Sequence, residues 1–167
     1  MKLVNWQRVI LLSVFLCTGT AAFADPLQDF NGKPQAIKDY AGKGKWLVVM
    51  MWASDCHVCN VEAEQYIQFH EQYKNKNAQV LGISLDGQVK KAEAQQFIKR
   101  HHITFDNLIG EPQEVAQWFV DLTGADWVGT PTFLIYNPQG ELVIQQAGAV
   151  PVNLIEEFIA KESKATS

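Results

Sequence analysis

The fold is decided by residues 46–62, which read WLVVMMWASDCHVCNVE. The first seven residues are continuously apolar, and this lack of alternation indicates a central β-strand that is covered on both faces. Two cysteines, Cys56 and Cys59, follow shortly after the strand with two residues between them. Apolar residues then recur at helical spacing, namely Ala63, Tyr66, Ile67 and Tyr73. We therefore expect Cys56 at the junction of strand and helix and Cys59 in the first turn of the helix.

The remainder of the chain predicts a mixed sheet with helices on both faces. Short apolar pieces in residues 27–40 are broken by turn residues, which favours a small N-terminal hairpin. The other expected elements are a strand at 80–85, helices at 94–101 and 115–122, a hairpin at 132–144 and a closing helix at 154–159. A helix between two apolar strands implies a parallel pair, whereas the late hairpin adds antiparallel strands. The fold class is therefore α/β, with an N-terminal β extension and a helical insertion at the centre.

The first 24 residues have the pattern of a secretory signal peptide. Lys2 and Arg8 supply positive charge before the apolar run of residues 9–16, and residues 22–24 read AFA, an Ala-x-Ala cleavage site. An uncleaved membrane anchor is the alternative, but the apolar run is shorter than the ~20 residues that a spanning helix needs. We expect cleavage after residue 24 and export to the bacterial periplasm.

The mature chain would then be one domain, residues 25–167, with enough apolar material for a full core, since 47% of the sequence is hydrophobic. Loss of Lys2 and Arg8 leaves 12 basic residues against 18 acidic ones. This acidic balance argues against nucleic acid or an anionic membrane as a partner. Cys17 would be removed with the signal peptide, so two cysteines remain, too few for a disulfide scaffold and enough for one redox pair.

The position of the cysteine pair predicts its chemistry. At a helix N-terminus the unpaired backbone N–H groups and the helix dipole favour an anion, so the thiolate of Cys56 is stabilised. Lowering a thiol pKa from ~8.5 to ~7 corresponds to about 2 kcal/mol. Cys56 is therefore the expected nucleophile and Cys59 the resolving cysteine. His57, when protonated, would make the pair more oxidising, whereas Asp55 has the opposite effect.

Metal binding is the alternative use of the same cysteines. A closed zinc site needs four Cys or His ligands. The other histidines form no second ligand pair at two-residue spacing: His70, His101 and His102. A copper(I)-binding or metal-delivery module built on the cysteine pair and His57 stays open as a function of a different class, because copper(I) prefers soft thiolates.

Two stretches of the sequence resemble the signature motifs of the thioredoxin superfamily, and most closely those of its exported TlpA-like branch. The first is WASDCHVC at residues 52–59 with Glu62 after it, and the second is VGTPTFLI at residues 128–135. The resemblance implies a thioredoxin fold and a thiol-disulfide oxidoreductase with no bound cofactor beyond its own redox-active disulfide. It also implies exported protein substrates and a membrane or periplasmic thiol partner that donates or accepts electrons. Residues 27–161 are covered by it.

The resemblance further implies roles for individual residues. Thr130 and Pro131 would form a cis peptide bond in a loop that faces the disulfide and binds an extended substrate segment. Trp52 would pack beside the active site, and Glu62 would transfer a proton to or from the buried sulfur. Met50 stands where thioredoxin has a buried acid. The leading hypothesis is a reductase of exported proteins, and a net oxidant, motivated by His57, is the alternative.

Overall fold

The computed structural model describes residues 25–165, so the predicted signal peptide lies outside the described residues. The elements are β1 (Leu27–Asp29), β2 (Pro34–Gln35), a 3-10 helix (Ile37–Asp39), β3 (Trp46–Trp52), α1 (His57–Tyr73), β4 (Ala78–Ser84), α2 (Lys91–Arg100), β5 (Asp106–Ile109), α3 (Pro112–Thr123), β6 (Thr132–Tyr136), β7 (Leu142–Ala147) and α4 (Val152–Ala165). Among these helices none has the length and apolar character required to span a membrane.

The strands form one mixed sheet, as the sequence predicts. Their order is β2-β1-β5-β4-β3-β6-β7. The central strands β3, β4 and β5 are parallel, because helices α1 and α2 return the chain between them. β6 pairs antiparallel with β3, and β7 pairs antiparallel with β6. The N-terminal hairpin of β1 and β2 extends the other side of the sheet.

Strand β3 is the centre of the core and is buried on both faces, which confirms the interpretation of its continuous apolar sequence. Val48 and Met50 face one side, in a cluster with buried residues of α1, α2 and α4. Val49 and Met51 face the other side, against α3 and the 3-10 helix. Successive side chains of a strand point to opposite faces, so a strand with helices on both sides needs apolar residues at every position.

The sequence predicts helices alone between β4 and the late hairpin, but the structure has a short strand there, β5. The strand has four residues, of which Leu108 and Ile109 are buried and Asp106 is exposed. It pairs parallel with β4 and antiparallel with β1, so it connects the N-terminal hairpin to the central sheet. So short a stretch shows no periodicity in the sequence, and its conformation depends on its pairing partners.

Candidate active site

Three chain segments meet where the parallel strands β3 and β4 end and the antiparallel strand β6 begins. In the parallel pair of β3 and β4, Trp52 lies opposite Ser84, so the residues that follow both strands emerge side by side. Met51 lies opposite Thr132 at the start of β6. This register places residues 53–56, here called the cysteine loop, between the segment after β4 and residues 128–131, here called the proline loop.

Cys56 and Cys59 form a disulfide at the start of α1. Cys56 is the N-cap residue and Cys59 lies in the first turn, as predicted. Cys56 is half-buried, whereas Cys59 is completely buried. The backbone N–H of Cys59 donates a hydrogen bond to Sγ of Cys56 at 3.0 Å. This donor and the positive end of the helix dipole both favour negative charge on that sulfur.

The residues next to the cysteines carry opposing charges. His57 is exposed between the two sulfurs. Asp55, which precedes the pair, forms an ion pair with Lys90, with 2.7 Å between Oδ2 and Nζ. The hydrogen bond from Lys90 lowers the pKa of Asp55, and the same bond raises the pKa of Lys90. Lys90 therefore offsets part of the negative charge that Asp55 brings to the cysteine loop.

Asp86 holds the cysteine loop from the side of β4 and was not predicted as a site residue. Its side chain is buried, and its oxygens accept hydrogen bonds from Ser54 N at 3.2 and 3.0 Å, from Ser54 Oγ at 2.7 Å and from Ser84 Oγ at 2.7 Å. A buried carboxylate requires such donors, because loss of hydration is costly without them. The sequence does offer a signal for Asp86. It is an acidic residue at the carboxyl end of an apolar strand, where the cysteines also lie.

Asn60 holds the same loop from the other side and was also missed. Its Nδ2 donates to the carbonyl oxygen of Cys56 at 2.8 Å. Its Oδ1 accepts from Nη2 of Arg100 at 2.7 Å and lies 2.9 Å from Nε2 of His101. The sequence had given His101 no chemical role. Burial, followed by the nearby charge of Arg100, lowers the pKa of His101.

Trp52 and Glu62 were both expected beside the disulfide. Trp52 is completely buried in the same apolar cluster as Cys59, stacks on Phe97 with 4.2 Å between ring centroids, and donates from Nε1 to Oδ1 of Asn107 at 3.0 Å. The half-buried Glu62 accepts a hydrogen bond from the backbone N–H of Val150 at 3.3 Å. Its bond is thus to the segment before α4, and proton transfer by Glu62 stays a prediction.

The proline loop contains the cis peptide bond that was predicted between Thr130 and Pro131. The carbonyl of Pro131 accepts from Gly148 N at 2.9 Å, and the carbonyl of Gly129 accepts from Thr132 Oγ1 at 2.6 Å. Thr130 itself has no hydrogen-bond partner for its backbone N–H or C=O within residues 25–165. Within these same residues, no cluster of three or more His, Cys, Asp or Glu could hold a metal ion.

Comparison with known proteins gives a match over most of the chain, since a profile of the AhpC/TSA family matches residues 18–145. The chain belongs to the AhpC/TSA family. This membership confirms the predicted likeness to thioredoxin-like proteins. Among curated relatives, the thiol-disulfide oxidoreductase ResA of Bacillus thuringiensis subsp. konkukian is 23% identical over 133 residues, which cover 80% of this chain and 71% of the relative. ResA of Bacillus subtilis is 24% identical, covering 80% and 69%.

Solved structures show the same fold as this AhpC/TSA family member. A thiol:disulfide interchange protein of Chlorobium tepidum has a TM-score of 0.66 at 18% identity, covering 83% of this chain and 94% of its own. A secreted disulfide oxidoreductase of Mycobacterium tuberculosis, homologous to E. coli DsbE, has a TM-score of 0.62 at 19% identity, covering 80% and 92%. The predicted thioredoxin fold is confirmed, and the protein is a thioredoxin-like thiol-disulfide oxidoreductase with one Cys-x-x-Cys pair.

Proposed function

We propose that this protein reduces disulfides of exported proteins in the bacterial periplasm. The observation that carries the proposal is the half-exposed Cys56 at the N-terminus of α1, beside a proline loop whose Thr130 backbone groups have no partner within the described residues. The N-terminal 24 residues would direct export. A secreted structural relative supports a location outside the cytoplasm.

The reaction proceeds in two balanced exchange steps. In the reduced protein, the Cys56 thiolate attacks one sulfur of a substrate disulfide, which forms a mixed disulfide and releases the other substrate sulfur as a thiolate. Cys59, after losing its proton, attacks the sulfur of Cys56 and releases the second substrate thiolate. The substrate gains two electrons and the Cys56–Cys59 disulfide forms. A membrane or periplasmic dithiol partner then reduces this disulfide by the same steps in reverse.

The surface around the disulfide suits an extended protein segment. The free N–H and C=O groups of Thr130 would pair with the substrate backbone, as in the addition of a strand to a sheet edge. Val128 is 73% exposed in the proline loop, and Val58 is 39% exposed next to the cysteines. These valines would bury apolar surface when the substrate binds, whatever the substrate sequence.

A reductase requires an oxidised form that is stable relative to the dithiol. Asp55 contributes to this, because a carboxylate immediately before Cys56 disfavours the thiolate. Lys90 removes part of this effect through its ion pair with Asp55. The balance between these groups sets how strongly reducing the pair is.

Insulin reduction tests the proposal with matched cysteine variants. The reduced protein should cleave insulin disulfides, Cys56→Ser should abolish cleavage, and Cys59→Ser should accumulate a mixed disulfide through Cys56 because its resolving thiol is missing. Mass spectrometry under non-reducing conditions would identify that adduct. Unchanged insulin cleavage by the Cys56→Ser variant would contradict the proposal.

A net oxidant is the second candidate, favoured by the exposed His57 between the sulfurs and by the pairing of Asp55 with Lys90. Equilibration with glutathione distinguishes the two directions. A reduction potential of about −270 mV supports a reductase, and one of about −120 mV supports an oxidant.

Copper(I) titration of the reduced protein tests the alternative of a metal-binding module. Tight one-to-one binding with negligible disulfide exchange would favour that module over an oxidoreductase.

A further inference from the structure

The side chain of Asn60 joins the reactive cysteine to the end of α2. The carbonyl oxygen of Cys56 accepts two hydrogen bonds from this one residue, from the backbone N–H at 3.1 Å and from Nδ2 at 2.8 Å. On its other side, Oδ1 lies 2.7 Å from Nη2 of Arg100 and 2.9 Å from Nε2 of His101. One side-chain amide therefore separates the guanidinium from the backbone of Cys56.

The identity of the facing atoms follows from the donors available. A guanidinium has no acceptor atom, so the Asn60 atom that faces Arg100 must be the oxygen. The amide nitrogen then faces the carbonyl of Cys56, and a flipped amide would place donor against donor and acceptor against acceptor. For the same reason His101 must donate from Nε2. The orientation of the Asn60 amide is thus fixed from both ends.

Arg100 is bonded to the amide that contacts Cys56, so its charge would act on Cys56 through this amide. A guanidinium in a protein carries a positive charge. Arg100 is the last residue of α2, where the negative end of the helix dipole suits a cation. The amide dipole points its positive NH₂ end at the N-cap residue of α1, whose sulfur already accepts the Cys59 N–H. Both effects favour an anionic sulfur at Cys56.

We propose that Asn60 and Arg100 are positioning residues that stabilise the Cys56 thiolate and thereby raise the reduction potential of the Cys56–Cys59 pair. The proposal rests on the thiol-disulfide exchange proposed above and names two groups that tune it. A more stable thiolate stabilises the reduced protein, which makes the pair more oxidising. Loss of either residue should therefore make the pair more reducing.

Arg100→Gln tests the proposal against Lys99→Gln as a control of equal charge change. Lys99 is exposed on the same helix turn, but the donors to Asn60 are Arg100 and His101. Arg100→Gln should shift the equilibrium with glutathione toward the disulfide by roughly threefold to tenfold, because the Cys56 thiolate loses a nearby positive charge. The pH dependence of iodoacetamide alkylation should move upward with it. Lys99→Gln should leave both unchanged, and Arg100→Lys should restore part of the effect.

Asn60→Leu provides a second variant, because it removes all the amide bonds and keeps a similar volume. It should shift the same equilibrium in the same direction as Arg100→Gln, with thermal unfolding followed to confirm a folded protein. Equal potentials in Arg100→Gln and Lys99→Gln, or a loss of stability in Asn60→Leu with an unchanged potential, would show that this contact only joins α1 to α2. Alkylation needs no protein substrate, so failure of insulin reduction and failure of this inference are separate results.

Discussion

The cysteine loop and the proline loop lie side by side but are held very differently. The cysteine loop is bonded from two sides, by the buried carboxylate of Asp86 and by the amide of Asn60. In the part of the chain that the structure describes, the proline loop has the two bonds at Gly129 and Pro131, and Thr130 has none. The reactive sulfur is thus positioned in advance by buried polar groups. The surface that would meet a substrate keeps its backbone groups available.

The largest effect should come from removing the carboxylate that holds the cysteine loop. Asp86→Ala leaves the buried hydroxyl of Ser84 and the half-buried N–H and hydroxyl of Ser54 without their acceptor, so we expect a loss of about 3 kcal/mol in the free energy of unfolding. Urea denaturation measures this change. The control is Asp121→Ala on α3, whose carboxylate is exposed and accepts from Gln117, and which should cost less than about 0.5 kcal/mol.

Comparable losses in the Asp86→Ala and Asp121→Ala variants would mean that the cysteine loop does not depend on its buried acceptor. Asp86→Asn separates the contacts of the two serines, because its Oδ1 can still accept from Ser54 while its NH₂ group cannot accept from Ser84. We expect a stability between those of the wild type and the alanine variant.

The sequence predicts those elements of the fold that have a long, continuous pattern of apolar residues. Strand β3 has seven apolar residues in a row, and α3 has Pro112 at its first position and apolar residues at helical spacing. Strand β5 was not predictable, because four residues carry no periodicity and its conformation depends on pairing with β1 and β4.

The site residues also divide into those in contiguous motifs, which can be predicted, and those that depend on distant contacts, which cannot. The cysteine pair and the proline loop are contiguous motifs, so the sequence predicts the pairing of Cys56 with Cys59 and the cis peptide bond before Pro131, both of which the structure contains. Asp86 and Arg100 are far from the cysteines in the chain and reach them through the parallel arrangement of β3 and β4 and the end of α2. A single sequence does not reveal such a contact unless the register of the strands and the facing helix ends are known.

A smaller effect is expected from a substitution in the exposed proline loop. Val128→Ser in the proline loop removes apolar surface that a substrate would cover, so the KM for a protein disulfide should rise about fivefold, equivalent to ~1 kcal/mol of lost apolar burial. The stability of the folded protein should not change. Val143→Ser is the control, since this exposed valine lies at the end of β7 away from the residue that pairs with Thr132. An equal rise in KM for both variants would place the docking surface elsewhere.

The smallest effect on stability should come from the exposed ion pair beside the cysteine loop. The hydrogen bond from Lys90 depresses the pKa of Asp55 below its ordinary value of 3.8, so the pair stabilises the folded state at neutral pH and this contribution is lost as pH falls through the lowered pKa. Because solvent screens the pair, Asp55→Asn should change the free energy of unfolding by less than about 0.5 kcal/mol at pH 7, and the two proteins should converge in acid.

The ion pair should matter more for the sulfur than for the fold. Asp55→Asn removes a negative charge next to Cys56 and should lower the pKa of its thiol, whereas Lys90→Gln leaves Asp55 uncompensated and should raise it. Alkylation rates measured against pH give both values. Shifts in the same direction for the two variants would contradict an electrostatic effect on the sulfur and would indicate that the ion pair acts by holding the loop in place, as Asp86 does.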